Sequence, residues 1–223
     1  MSLFHDATTG AVVPFSPAEV VLAGYTGRDQ AAVQRHIDEL AAHGVPVPAR
    51  VPAYYSITPG LVVAAGAIDV LGPETSGEVE YLLLHSDGEL YVGLGSDHTD
   101  RGLERTSVTY AKQLCPKVVC PRLWRYADVA EHWDRLVLRS FAGAERRLYQ
   151  EGPVTAMLDP DDILARVWRR TGRGLDGVLV FSGTLALAGE LDYADRFAAE
   201  LGDETTGAKL TLDYTVNVVE PLD

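Results

Sequence analysis

Three acidic residues, Glu78, Glu80 and Asp97, have the types and spacing of a divalent-cation site. They lie in the segment GEVEYLLLHSDGELYVGLGSDHTDR, residues 77–101, which reads as two strands around Asp87-Gly88. That dipeptide favours a two-residue hairpin turn, whose central positions both need positive φ. Pairing outward from the turn matches Ser86 with Glu89, Leu84 with Tyr91, Leu82 with Gly93 and Glu80 with Gly95. Glu78 then faces Asp97. Side chains two apart on a strand share a face, and opposed Cβ atoms lie roughly 5 Å apart, so the three carboxylates meet. Gathered carboxylates repel, and a cation at their centre relieves the conflict. An all-oxygen set favours Mg²⁺ or Mn²⁺, with Ca²⁺ also admissible. Gly93 and Gly95 are expected to leave room above the site for a ligand. A three-residue loop would turn Asp97 to the other face, and a solvated acidic strand face is the competing reading.

The surrounding elements follow from periodicity. Residues 11–24 suggest an edge strand and a second strand, Val20 to Ala23. Asp29 to His43 has a helical period, with Ala32, Val33, Ile37, Leu40 and Ala41 on one face beside His36, and it ends at Gly44. An extended Pro-rich stretch runs from Val45 to Pro59 and holds Tyr54 and Tyr55. Strands are expected at 61–69, 78–85 and 90–97. A short helix at Asp128–Leu136 leads into a strand through Ser140. A helix at Asp159–Thr171, capped by Asp159, precedes a strand at Gly177–Ser182, a helix at Asp192–Leu201 and a strand at Ala208–Val219. The expected fold is α+β and mainly β. Residues 1–223 form one domain, with strands, a helix and an extended segment in 1–60 and the metal-binding core in 61–223.

Composition narrows the partners. The chain has 32 acidic and 19 basic residues, a formal charge of −13, which disfavours nucleic acid and anionic membranes. Met1 to Phe15 lacks a signal-peptide pattern, and no apolar run approaches the roughly 20 residues of a membrane span. Cys115 and Cys120 fit neither a disulfide framework nor paired zinc ligands, so they are expected to be reduced packing residues in a cytoplasmic protein.

With these residues in place, the sequence resembles the fumarylacetoacetate hydrolase superfamily, in its branch of small single-domain bacterial proteins. Glu78-Val79-Glu80 and Asp97-His98-Thr99-Asp100-Arg101 match that family's Glu-x-Glu pair and Asp-x-Thr-x-Arg segment. Ala111-Lys112-Gln113, with Cys115-Pro116 or Cys120-Pro121, is similar to its lysine and Cys-Pro landmark. Gln150, Ser182-Gly183-Thr184-Leu185 and Leu201-Gly202-Asp203 resemble later landmarks. His36 and Glu39 match a His-x-x-Glu dyad, although Tyr25 lies further upstream than the family's tyrosine. Leu185 stands in place of the proline of a Thr-Gly-Thr-Pro turn, and Ala186-Leu187 follow it.

The resemblance implies a mixed β-sandwich or β-roll with peripheral helices, a homodimer, and a metal-dependent enzyme that cleaves a carbon–carbon bond in a small 2-oxo acid or 1,3-dicarbonyl compound. Decarboxylation, hydration or isomerisation through an enolate is the alternative chemistry, and a non-catalytic metal-dependent binder is the alternative class. In the hydrolytic version the metal binds the substrate carboxylate and carbonyl. Lys112 faces the developing oxyanion, Thr184 holds the substrate with its turn, and His36, oriented by Glu39, activates water. Gln150, Arg28 and Tyr25 are further candidate substrate-binding residues. Arg101 is expected to pair with Asp97 or Asp100.

Overall fold

The computed structural model describes residues 3–172 and 174–220. Its strands begin with β1 (Phe4–Asp6), β2 (Val12–Val13), β3 (Glu19–Gly24), β4 (Ala53–Ile57), β5 (Val62–Val63) and β6 (Ala67–Leu71). The site region follows with β7 (Thr75–Ser76), β8 (Val79–Ser86), β9 (Glu89–Asp97), β10 (Thr99–Asp100), β11 (Lys117–Val119) and β12 (Arg122–Arg125). The last are β13 (Leu136–Ala142), β14 (Arg147–Pro153), β15 (Val178–Phe181), β16 (Arg196–Asp203) and β17 (Lys209–Val219). The helices are α1 (Gln30–Ala42), α2 (Arg101–Glu104), α3 (Val108–Leu114), α4 (Tyr126–Val129) and α5 (Pro160–Thr171).

The large sheet runs β2-β1-β12-β9-β8-β15-β3-β4, and β11 adds to the same edge of β9 as β12, carrying β5. A five-stranded sheet runs β14-β13-β16-β17-β6, and β7 pairs with β10. The run Val79–Leu84 is apolar at nearly every position because β8 is buried on both faces. Val79, Tyr81 and Leu83 point into a core shared with Leu138, Leu201 and Tyr214 of the five-stranded sheet. Leu82 and Leu84 point the other way, into a second core with Phe4, Val20, Leu22 and Phe181. Among the described residues that second core draws on the strands of the large sheet and their flanking segments, with no α-helix. Glu80 continues the row of Leu84 and Leu82, and the acidic site closes the end of this second core.

Three expectations change. The strand expected at 61–69 is broken into β5 and β6, which belong to different sheets. Residues 192–201 are not helical: β16 takes Arg196–Asp203 and is paired on both sides, with β13 and β17. Arg-Phe-Ala-Ala-Glu-Leu has helical composition, but a central position in a sheet overrides that weak preference. Asp159 makes no side-chain cap bond to α5; Arg28 holds its carboxylate instead. Short elements also went unforeseen, among them β14, α2 and the seven-residue α3, which is too brief to show a period. The α1 helix matches its expected span, and Asp29 caps it by accepting from the backbone of Ala31 and Ala32. Cys115 and Cys120 are free and buried, and burial pushes the Cys115 thiol up to about 11.

Candidate metal centre

The β8–β9 hairpin has the register that its turn implies. Asp87 and Gly88 have φ of 52° and 81°, and the pairs run from Ser86–Glu89 through Leu82–Gly93 to Glu80–Gly95. One step further, Asp97 N–H donates to the Glu78 carbonyl at 3.0 Å, so the pairing extends past the end of β8. One oxygen from each of Glu78, Glu80 and Asp97 lies within 4.8 Å of the others. The acids are clustered, as expected, and largely shielded from water: Glu80 and Asp97 are buried and Glu78 is partly exposed.

The role expected of the glycines is corrected. A Cβ on Gly95 would lie 2.7 Å from the Phe181 ring and 2.8 Å from Leu82, and one on Gly93 would lie 2.6 Å from Leu123. These glycines admit apolar side chains beneath the site and leave no space for a ligand there.

The electrostatics also differ from the expectation that a bound ion alone makes the cluster tolerable. Three cations of the protein face the three acids. Lys112, on α3, bonds to Asp97 Oδ2 and to Glu78 Oε2 at 3.3 Å. Lys117, on β11 directly opposite Asp97, reaches Asp97 Oδ1 at 2.9 Å and also donates to the His98 carbonyl. Arg101 lies 3.2 Å from Glu78 Oε1, 3.1 Å from Glu104 and 2.7 Å from the Ser76 hydroxyl. Its partners are therefore Glu78 and Glu104 rather than Asp97 or Asp100: the β7–β10 pairing sets Thr99 opposite Ser76 and brings Arg101 beside Glu78, and Glu104 lies one turn along α2. Asp100 instead caps α2 through Leu103 N–H.

These contacts divide the acids. Burial opposes the charge on Asp97, but Lys112 and Lys117 hold its carboxyl well below the usual range. Glu78 is held down against burial by Arg101 and Lys112. Glu80 has a neutral partner, the Gly183 N–H at 2.8 Å, and burial followed by the Asp97 charge pushes its carboxyl well above the ordinary value. One acid is thus left without a direct cation. Lys112 itself is raised: burial disfavours its charge, but Asp97 and Glu78 more than restore it.

The other residues singled out from sequence fall into two groups. Gln150 is fully buried: its carbonyl accepts from Val79 N–H and Ser140, and its amide donates to Thr184 and the Leu185 carbonyl. Thr184 donates in turn to the Val79 carbonyl at 2.8 Å. Together they clamp the Gly183–Leu185 turn onto the start of β8, which aims Gly183 N–H at Glu80. Arg28 is exposed and bridges the Met157 carbonyl and Asp159. His36 and Glu39 are exposed on α1, with 4.0 Å between His36 Nδ1 and Glu39 Oε2. Tyr25, with φ of 58°, brings its ring within 6.3 Å of the His36 ring despite their separation in sequence. It is half-buried, and burial with Tyr55 beside it pushes its hydroxyl up to about 12. The turn of Gly183 and Thr184, expected to hold the substrate, instead gives its Gly183 N–H to Glu80, and Lys117 is a further site residue that the sequence does not single out. Nothing in the residues around Lys117 signals its place, because that place depends on β11 docking against β9.

The set suits a hard cation, since its ligands are carboxylate oxygens with no nitrogen or sulfur, and Lys112 already places a positive charge on Glu78 Oε2 and Asp97 Oδ2. Solved structures share the fold. A provisionally assigned fumarylpyruvate hydrolase from Burkholderia cenocepacia superposes with a TM-score of 0.68 at 18% identity, covering 98% of this chain and 91% of its own. A yeast fumarylacetoacetate hydrolase family protein gives 0.64 at 15%, covering 91% and 94%. A 2-keto-3-deoxy-D-arabinonate dehydratase complexed with magnesium and 2,5-dioxopentanoate gives 0.64 at 20%, covering 93% and 75%. The architecture is that of the fumarylacetoacetate hydrolase fold. No curated protein matches the chain. Residues 23–214 match the family described as "Protein of unknown function (DUF2848)", a span that holds every residue of the centre, and the chain belongs to that family.

Proposed function

We propose that this chain is a divalent-metal-dependent enzyme that hydrolyses a carbon–carbon bond beside a carbonyl in a small 2-oxo acid or 1,3-dicarbonyl compound. The observation that carries the reading is the convergence of Glu78, Glu80 and Asp97 with Lys112 among them. Proteins of the same fold that are described as hydrolases, and one dehydratase complexed with magnesium, support it. Mg²⁺ or Mn²⁺, held by the three acids, would act as Lewis acid and template for the substrate's carboxylate and carbonyl.

The chain's own groups divide the remaining work. Lys112 supplies a positive charge for the oxygen that gains charge as the bond breaks. Gln150 and Thr184 act through the turn they hold, which fixes Glu80. His36, oriented by Glu39, takes the proton of the attacking water, and Tyr25 sets the position of His36. Arg28 lies beside the start of α1, where it can meet a substrate carboxylate once released from Asp159. A cytoplasmic homodimer is the expected state; among the described residues no helix is long and apolar enough to cross a membrane.

A second reading keeps the metal and the enolate but not the hydrolytic cleavage: decarboxylation, hydration or isomerisation. The exposure of His36 and Glu39 favours it, since neither contacts the acids. A panel of acylpyruvates assayed with Mg²⁺ or Mn²⁺ separates these readings. Hydrolysis predicts a loss of about 10²–10⁴-fold in turnover for His36→Ala. Unchanged turnover in that variant would move the assignment to the second reading. Calorimetry showing that wild-type protein takes up neither ion would remove both and leave a protein with a merely acidic strand face.

A further inference from the structure

Each acid of the centre has one oxygen taken by a donor that the fold holds in place. Glu78 Oε1 faces Arg101 at 3.2 Å, Glu80 Oε2 accepts from Gly183 N–H at 2.8 Å, and Asp97 Oδ1 faces Lys117 at 2.9 Å. The oxygens left over are Glu78 Oε2, Glu80 Oε1 and Asp97 Oδ2. Lys112 sits on two of these three, with its ammonium bonded to Glu78 Oε2 and Asp97 Oδ2. The cations are therefore not equivalent. Arg101 and Lys117 each reach one acid of the three, and both are tied to further groups, Ser76 and Glu104 for one and the His98 carbonyl for the other. Lys112 bridges two of the acids, at the end of a flexible four-carbon side chain on the short helix α3.

We infer that Lys112 is the exchangeable cation of the centre: a divalent ion enters by displacing its ammonium from Glu78 Oε2 and Asp97 Oδ2, while Arg101, Gly183 and Lys117 keep their oxygens. The inference rests on the metal reading above. It has two consequences. Three acids that each offer one oxygen form a monodentate set, which suits the six-coordinate Mg²⁺ or Mn²⁺ better than Ca²⁺, an ion that takes more ligands and often both oxygens of a carboxylate. Moreover, the ammonium becomes free to meet a substrate oxygen only when the ion is in, so loading the metal and arming the lysine are one event.

The test is amine-selective acetylation of the wild-type protein during a Mn²⁺ titration, read by mass spectrometry beside calorimetry on the same samples. Lys112 should become at least about five-fold more reactive, with the midpoint of the calorimetric curve, while Lys117 stays unreactive. In Lys112→Met, where no ammonium competes or repels, Mn²⁺ should bind at least about ten-fold more tightly. Bound Mn²⁺ with unchanged Lys112 reactivity would overturn the exchange and leave the metal reading standing, as would Mn²⁺ binding in Lys112→Met that is equal or weaker. Failure of the wild-type protein to bind Mn²⁺ would overturn both. If Lys112→Met does not fold, the acetylation result on the wild type decides alone.

Discussion

On the sheet side of the site, Asp97 and Lys117 are 0% exposed, Glu80 is 2% exposed, and the carboxylate oxygens are sorted among Arg101, Gly183, Lys112 and Lys117. On the helix side, the side chains of His36 and Glu39 are 59% and 74% exposed and meet at 4.0 Å. The sheet side is completed by folding, because its charges would be costly to bury unpaired. The helix side is held by little: among the described residues Ile37 is the one α1 position that is buried. The three acids are thus held by the core, whereas the role proposed for His36 and Glu39 would require α1 to close over the site.

The largest test of the contrast is Asp97→Ala. It leaves Lys117 and Lys112 without their shared partner in a buried setting, and breaking a buried pair in this way typically costs about 3–5 kcal/mol. Urea denaturation should show a loss of that size together with loss of Mn²⁺ binding. A loss below about 1 kcal/mol would mean that the sheet side is not held by its charges. Next in size is Gly183→Ala. Gly183 has φ of 88°, and a Cβ there would lie 2.4 Å from Thr26 Oγ1 and 3.0 Å from the Ala23 carbonyl. Strain and overlap together predict about 3 kcal/mol, a fall in Tm of about 6–12 °C for a chain of this length. A Tm within about 2 °C of wild type would show that the turn adapts and does not fix Glu80.

The same division separates what could be read from the residues and what could not. The hairpin was legible because Asp87-Gly88 fixes a two-residue turn, and every later pair, out to Glu78 and Asp97, follows from that length alone. Helix α1 was legible from its cap and period. Lys117 was not, since its contact with Asp97 exists only because β11 joins the edge of β9. Nor was the Gly183 N–H, which reaches Glu80 from a turn far along the chain. For Arg101 the β7–β10 pairing brings Glu78 across, and Glu104 joins from one turn along α2 in place of Asp97 or Asp100. Gly93 and Gly95 were read as open space because a missing side chain says nothing about whose side chain fills the gap; Leu82, Phe181 and Leu123 do. Local rules thus located the acids, and non-local pairing supplied nearly everything that neutralises them.

The smallest effect sharpens the comparison from the other side. Glu39→Gln removes the charge of an exposed pair one helical turn long, and such pairs contribute about 0.3–0.5 kcal/mol at most. Urea denaturation of this variant should therefore match wild type within about 0.5 kcal/mol. Hydrogen exchange gives the second half of the argument. If α1 closes over a loaded centre, its amides gain protection when Mn²⁺ and oxalate are added together, and the gain is smaller in the variant, although its stability is unchanged. A loss of more than about 1 kcal/mol from Glu39→Gln would instead show that the pair supports the fold, and the supposed asymmetry between the two sides would be gone.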